Sequence, residues 1–460
     1  MYAILDDAAR RAQIYLQGLG NRPVAPTDSA VSALRTLAEE PFPEGPSDPL
    51  RTLELLDTSV SPATMAMAGP RFFGFVIGGS LPVALAANWL SNAWDQNAAL
   101  YRPSPGVSCL EDIALRWLVD LLELPEGTGG AFVTGATVAN FTALAAARNR
   151  VLGQVGWNVE ANGLFGAPPI TVLSGQEAHP TMLKSLGMLG LGRSRIVRVP
   201  VDEQGRMRAA DVPPISGPTI LCLQAGNVNS GSFDDFEAIV PRARAAGAWV
   251  HVDGAFGLWA KAAPSLRSLA RGMELADSWA TDAHKWLNVP YDSGLAFVRD
   301  PNALKAAMAI TAEYLPTQTV ERNPSDYTPE LSRRARGTEV WAVLRSLGRS
   351  GLAELFERNC SQAKRFAARL LNAGYEVLND VVLNQVVVSF GSAQRTRQVI
   401  EGIQKDGTCW CGVTEWRGRT AMRISVSSWA TTDADVERSV DAMLRVARDV
   451  KSPTGTVAGR

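Results

Sequence analysis

Lys285 lies in "TDAHKWLNVPYDSG" (281–294), behind an apolar run that reads as a strand. Its neighbours are His284 and Trp286, and the stretch from Ala283 through "WLNVPY" is largely apolar. A lysine withdrawn from water loses part of its preference for the charged form, and the neutral amine attacks carbonyls. A Schiff-base lysine needs such a setting, although most lysines are solvated surface residues. Asp253 ends the apolar segment "AWVHVDGA" (248–255). A carboxylate at the carboxyl end of a parallel strand points into the crevice where open α/β sheets bind ligands. Buried there, it requires a partner. A pyridinium nitrogen qualifies, because the carboxylate holds the proton on the ring and the ring becomes an electron sink. The competing role for Asp253 is a helix cap.

Two further segments supply what such a ring needs. In "FVTGATVANFTALAAARNR" (132–150) a strand runs through Gly135 and Ala136 to Thr137 and then into a helix. Free N–H groups and the helix dipole favour a phosphate there, small residues admit it closely, and Thr137 adds a hydroxyl. In "GQEAHPTMLKSLGMLGLG" (175–192) His179 opens a helix behind a strand, placed to stack on an aromatic cofactor or simply to make a local hydrogen bond. The third histidine, His251, alternates with Asp253 along one strand and reads as a satisfied core residue outside the site. A phosphate cup, a stacking imidazole, a pyridinium partner and a Schiff-base lysine follow one another at successive strand ends. That inventory fits pyridoxal 5'-phosphate (PLP). No HExxH or His/Cys cluster indicates a catalytic metal, and GxGxxG is missing, which disfavours a nicotinamide enzyme.

The elements that must hold these residues alternate. Strands are expected at 131–135, 170–175, 195–201, 219–226, 248–255, 278–283 and 294–300, with helices at 137–152, 179–189 and 234–246 between them. Near-continuous apolar strands interleaved with helices predict a mainly parallel sheet covered on both faces. The expected organisation is an N-terminal helical segment (1–75), a large ligand-binding domain (76–310), a polar, weakly periodic mobile loop (311–338) and a small α+β domain (339–460). In the last, a helix at 339–373, strands at 384–390 and 421–428 and a helix at 433–449 precede a frayed tail.

The chain has 460 residues, 46% apolar and 20% charged, with a formal net charge of −1. That balance gives no global field for nucleic acid or an anionic membrane, so the expected partner is a small molecule. The polar, amphipathic start is not a signal peptide, and no apolar run is long enough to span a membrane. Five cysteines without a CxxC suit a reduced, cytoplasmic protein, and Cys409 and Cys411 are read as thiols on opposite faces of a strand.

The sequence resembles the group II PLP-dependent decarboxylases, which include aromatic-amino-acid, glutamate and histidine decarboxylases. "HVDGAFG" and "DAHKWLNVPYD" are similar to the family's HVDAA and HKW segments, "GPRFFGF" (69–75) to its N-terminal mouth segment, and "SRRARGTEVWAVLRSLGRSGL" (332–352) to the stretch behind its mobile loop. The resemblance implies an aspartate-aminotransferase-like fold in a homodimer, with N-terminal helices clasping the partner and the active site at the interface. It implies that Lys285 carries PLP, Asp253 binds the pyridine nitrogen and His179 stacks on the ring. Ala136 and Thr137 hold the phosphate with His284, Asn229 lies near the cofactor, and Ala255 packs under the ring. Tyr327, in "NPSDYTPELSRR", is the loop residue that returns a proton to Cα. The implied reaction converts an L-amino acid to its amine. A redirected aldehyde synthase, aminotransferase or carbon–carbon lyase could use the same residues. The chain departs from the family at Gly226-Asn227-Val228, where a GTT turn is usual, and at the mouth, Phe75 to Gly79. Arg71, Arg333, Arg334 and Arg336 are candidate carboxylate partners, although surface ion pairs are their commoner fate.

Overall fold

The computed structural model describes residues 2–310 and 321–450. The first ten residues of the expected mobile loop, 311–320, and the expected frayed tail from 451 lie outside the described residues. The chain divides into two compact units, one built from 80–361 and 379–385, the other from residues up to 79, 362–378 and 386 onward.

The larger unit is organised by a seven-stranded sheet: β1 (Gly129–Val133), β2 (Thr171–Gly175), β3 (Val197–Val199), β4 (Thr219–Gln224), β5 (Trp249–Asp253), β6 (Ser278–Asp282) and β7 (Gly294–Val298). Their order is β1-β7-β6-β5-β4-β2-β3. Neighbours from β3 to β6 are parallel, whereas β7 runs antiparallel to both β1 and β6. All seven expected strands form, and β4 to β7 are almost wholly buried, as their unbroken apolar runs require. The helix Ala136–Gly153 packs on this sheet through Ala139, Ala143, Ala146 and Ala147, all fully buried. Alanine on that face lets the helix lie close to the strands. Asn140, a poor helix former, sits on the same face, one turn after Ala136.

The smaller unit carries the N-terminal helices Tyr2–Gly18, Asp28–Ala38 and Pro49–Leu55, and a four-stranded sheet. Its strands β8 (Glu376–Val377), β9 (Gln385–Ser389), β10 (Gly412–Trp416) and β11 (Arg419–Ser425) lie in the order β10-β11-β9-β8. The closing helix Asp433–Asp449 begins with a capping box in which Thr432 and Asp435 satisfy each other's backbone N–H groups. Here the expectation for the cysteines fails. Cys409 and Cys411 are both buried and their thiols touch, because residues two apart on an extended chain face the same way. Trp410 points to the other side and stacks on Phe72 at 5.0 Å.

Candidate active site

The site lies at the carboxyl ends of β5 and β6 and the end of β1. Gly294 opens β7 opposite Val133 on one side and Asp282 on the other. A Cβ on Gly294 would stand 2.4 Å from the Gly135 Cα, so two glycine backbones touch where the chain turns into the helix Ala136–Gly153. At Gly135 itself a Cβ would meet His284 Cε1 at 3.0 Å and Asp282 Oδ1 at 3.3 Å. The turn is thus packed too closely to admit a side chain at either glycine, and it forms a cradle with Ala136 and Thr137 at its rim.

Asp282, overlooked in the sequence, organises this corner. It is buried and accepts a hydrogen bond from the Ala136 N–H at 2.5 Å. That oxygen, Oδ1, also lies 3.4 Å from His284 Nε2, and Oδ2 lies 2.9 Å from Lys285 Nζ. Lys285 is therefore not a lysine stranded among apolar groups, as the sequence suggested. Its side chain is 19% exposed and its amine is matched by the carboxylate that closes β6 three residues earlier. The available signal was Asp282 closing an apolar strand three residues before the lysine. His284 accepts from the Ser293 N–H at 3.0 Å and stacks on Tyr291 at 4.3 Å, and burial pushes its imidazole below the ordinary value.

Asp253 is 4% exposed. Its Oδ1 accepts from the Ala255 N–H and its Oδ2 from Asn140 Nδ2, each at 3.2 Å. Burial pushes its carboxyl above the usual range, against the opposing pull of His179, Lys285, Asn140 and the Ala255 N–H. A buried carboxylate in this state calls for a cation. His179 caps the helix Pro180–Met188, accepting from the Thr181 N–H through Nδ1, and shares a small cavity with Asp253, Glu177, Cys222 and Gln224. Ala255 is held between Asp253 and the Asp282 N–H, which donates to its carbonyl. Asn229 lies in the turn behind β4, its N–H donating to Asn227 Oδ1 at 2.9 Å.

Tyr327 is not brought to this corner. It sits in the short helix Pro324–Tyr327 under the Arg322 guanidinium, 4.3 Å from the ring centre, and lines a cavity with Gly129, Gly130 and Pro301. Those residues mark the start of β1, and Gly135 lies beyond its far end, roughly 15–20 Å away at strand rise. Arg322 is pinned there by Glu111 and the Gly130 carbonyl. The candidate arginines are likewise engaged. Arg333 is buried against Glu111 and two carbonyls, Arg334 pairs with Glu339 and Asp292, and Arg336 pairs with Asp292. Arg71, in the smaller unit, binds Asp435 and the carbonyls of Gly20 and Thr408. Arg71 and Arg333 are interior struts rather than surface pairs.

A family profile described as the pyridoxal-dependent decarboxylase conserved domain matches residues 32–391. The chain belongs to this family. Among its relatives, tryptophan decarboxylase 1 of Oryza sativa subsp. japonica is 28% identical over 417 residues, covering 82% of this chain and 80% of the relative. The aromatic-L-amino-acid decarboxylase of Bacillus atrophaeus is 25% identical over 443 residues, covering 91% and 90%. Phenylacetaldehyde synthase of Arabidopsis thaliana is 24% identical over 435 residues, covering 88% and 87%. The crystal structure of Oryza sativa TDC with PLP and tryptamine superposes with a TM-score of 0.90 at 23% identity, covering 98% of each chain. The fold is that of the PLP decarboxylases, related to aspartate aminotransferase. The decarboxylase is thus a carboxy-lyase whose cofactor is PLP and whose substrate is an amino acid. The residues fit that cofactor: a helix start bared by glycine, a buried carboxylate whose charge burial opposes, and a lysine amine that acts on that charge.

Proposed function

We propose that this decarboxylase holds PLP on Lys285 and converts an aromatic L-amino acid to its amine. The convergence of Lys285, Asp253 and His179 at the carboxyl ends of β6, β5 and β2 carries the reading. The aromatic preference is taken from the named activities of the relatives. Bound PLP supplies the sink for the electron pair left when the bond between Cα and the carboxylate breaks. Asp253 keeps the ring nitrogen protonated. His179 and Ala255 would hold the ring from its two faces and so orient it. Ala136 and Thr137, with His284, hold the phosphate, and Asn229 borders the cofactor. Asp282 holds the Lys285 amine ready. In the described placement Tyr327 returns no proton to this site. Its role as donor requires Tyr327 to leave the Arg322 guanidinium, and 311–338 is proposed as the loop between the domains 76–310 and 339–460.

We also propose a homodimer with the active site at the interface and segment 1–75 as the clasp. The three N-terminal helices bury no residue, and Tyr2, Ile14 and Phe42 are 79%, 57% and 91% exposed. Apolar side chains in that state are ones a partner subunit would cover. Sedimentation would read a single species of twice the chain mass, and a monomer at micromolar concentration would remove the clasp. A cytoplasmic location suits five free thiols, four of them buried. Among the described residues no helix is long and apolar enough to cross a membrane.

The test is to incubate the PLP-loaded protein with a panel of amino acids and record CO2 and the carbon product. CO2 with tryptamine, tyramine or phenethylamine is expected. Aldehyde with ammonia, or a keto acid without CO2, would overturn amine formation and leave the cofactor site standing.

A further inference from the structure

Behind Asp253 stands a row of buried polar groups that the reaction, as described so far, does not use. Trp249, His251 and Asp253 alternate on β5 and share one face. Ser278 pairs with His251 across the β5–β6 ladder, and Asn140 reaches the same face from the helix Ala136–Gly153. Asn140, His251 and Ser278 have no exposed surface, and Trp249 is nearly as buried. Trp249 Nε1 lies 2.8 Å from Ser278 Oγ, Ser278 Oγ 2.9 Å from His251 Nδ1, and His251 Nε2 2.8 Å from Asn140 Oδ1. Asn140 Nδ2 lies 3.2 Å from Asp253 Oδ2.

Donor and acceptor chemistry gives this row one direction. An indole nitrogen only donates, so Ser278 Oγ accepts from Trp249. An ionised Asp253 only accepts, so Asn140 turns its amide nitrogen to it and its carbonyl to His251. That carbonyl needs a donor, so the His251 proton is on Nε2. Burial pushes the imidazole down to about 3, so it is neutral and Nδ1 is free to accept from the Ser278 hydroxyl. Every hydrogen in the row thus points toward Asp253. A core that merely needed filling would be met by apolar residues at less cost. A directed row of dipoles does something apolar residues cannot: it favours the charged form of the carboxylate at its end. The other groups facing that carboxylate are Lys285, His179, the Ala255 N–H and Cys222, whose thiol burial raises to about 12 and keeps neutral.

We propose that Asn140, His251, Ser278 and Trp249 are positioning residues that keep Asp253 ionised and so keep the proton on the ring nitrogen of PLP. The inference rests on the reading of Asp253 as the partner of that nitrogen. A protonated Asp253 would leave the ring nitrogen without its proton, and the ring would draw electrons from Cα less strongly.

The experiment loads the full-length protein with PLP labelled with 15N in the ring and reads the nitrogen chemical shift, together with the PLP dissociation constant. Wild type is expected at the protonated position. Asp253→Asn tests the underlying reading; an unchanged shift there would mean Asp253 is not the partner. Given that Asp253→Asn moves it, His251→Phe, which orphans the Asn140 carbonyl, is expected to move the shift toward the unprotonated position. It should also weaken PLP about tenfold, the size of one lost buried hydrogen bond. His251→Gln places an amide nitrogen where Nε2 stood and is expected to restore both. Should His251→Phe not fold, Ser278→Ala interrupts the row farther from the ring and must still move the shift in the same direction. A shift that moves with Asp253→Asn but stays at the wild-type value in His251→Phe, or in Ser278→Ala where it is the variant that folds, would reduce the row to core packing.

Discussion

Replacing Gly294 by alanine tests how closely the cofactor cradle is built. The added Cβ would lie 2.4, 2.6 and 2.8 Å from the Cα, C and N of Gly135. Carbon atoms in ordinary contact stand about 3.5–4.0 Å apart, so more than about 1 Å must be recovered. All three opposing atoms are backbone, so no rotamer change helps. Either β7 or the turn into the helix Ala136–Gly153 has to move, and Gly294 is pinned by β1 and β6 together. Overpacking a rigid interior costs about 1–3 kcal/mol, and this case belongs at the upper end, roughly 3 kcal/mol. For a unit of this size that is roughly a 5 °C fall in Tm. The displaced turn is the phosphate cradle, so PLP affinity should fall about tenfold or more. Gly135→Ala is milder, because its Cβ meets the edge of a side chain, His284 Cε1, at 3.0 Å. It should cost about 1 kcal/mol while still weakening PLP. Gly153→Ala, with nothing within 4 Å, is the control and should lose nothing. Calorimetry of the apo protein and titration of the visible absorption of bound PLP read both quantities. A Gly294→Ala protein with the wild-type Tm and PLP affinity would refute the close approach and the cradle with it.

Other outcomes follow from single contacts. Lys285→Ala should bind PLP without the product that borohydride fixes in wild type, and turnover by that variant would end its assigned role. Asp282→Ala removes the carboxylate beside Lys285 and the acceptor of the Ala136 N–H, and should cost about 2–3 kcal/mol in the apo protein by denaturant unfolding; an unchanged midpoint would deny the pairing. Arg333→Met leaves the buried Glu111 short of one partner and should cost about 3–5 kcal/mol, whereas Arg349→Met on the exposed Asp120 pair should cost less than about 1. His251 is held down to about 3 against an unfolded value near 6.5, so between these values the unfolded chain binds the extra proton. Its contribution to stability is complete above about pH 6.5 and falls with acid, by about 2 kcal/mol at pH 5. Asp234, raised to about 6, works in the opposite sense over part of that range, so the comparison is with His251→Gln, whose acid loss should be smaller by that amount. Superimposable pH profiles would contradict it.

The large unit was legible because its strands are buried on both faces and read as unbroken apolar runs bounded by turns. Lys285, Asp253 and Thr137 stood out because each closes or follows such a run. What escaped was set by pairing across the sheet. The reversal of β7 leaves no mark in its own apolar sequence, since a strand buried on both faces looks the same in either direction. Asp282 was hidden by the louder lysine three residues on. Asn140 was hidden in an alanine-rich helix, where its poor helix propensity was the available clue. His251 was rightly read as a satisfied interior residue, but the identity of what satisfied it required the fold. Tyr327 was placed by resemblance alone, and the grip of Arg322 on Glu111 and Gly130, which holds it at the far end of β1, involves residues 211 and 192 positions apart.

The reversed strand also sets a schedule. Among the described residues β1 pairs only with β7, so the strand that leads into the cradle has no neighbour until Val298 has been made and has inserted. On a ribosome adding about 5–20 residues per second, roughly ten to thirty seconds separate the synthesis of Thr137 from that of Val298. During that interval the residues for the ring and the phosphate exist as sequence but not as a place. Cofactor capture is therefore a late event that reports a finished sheet, and a chain interrupted before β7 has no half-affinity for PLP to display.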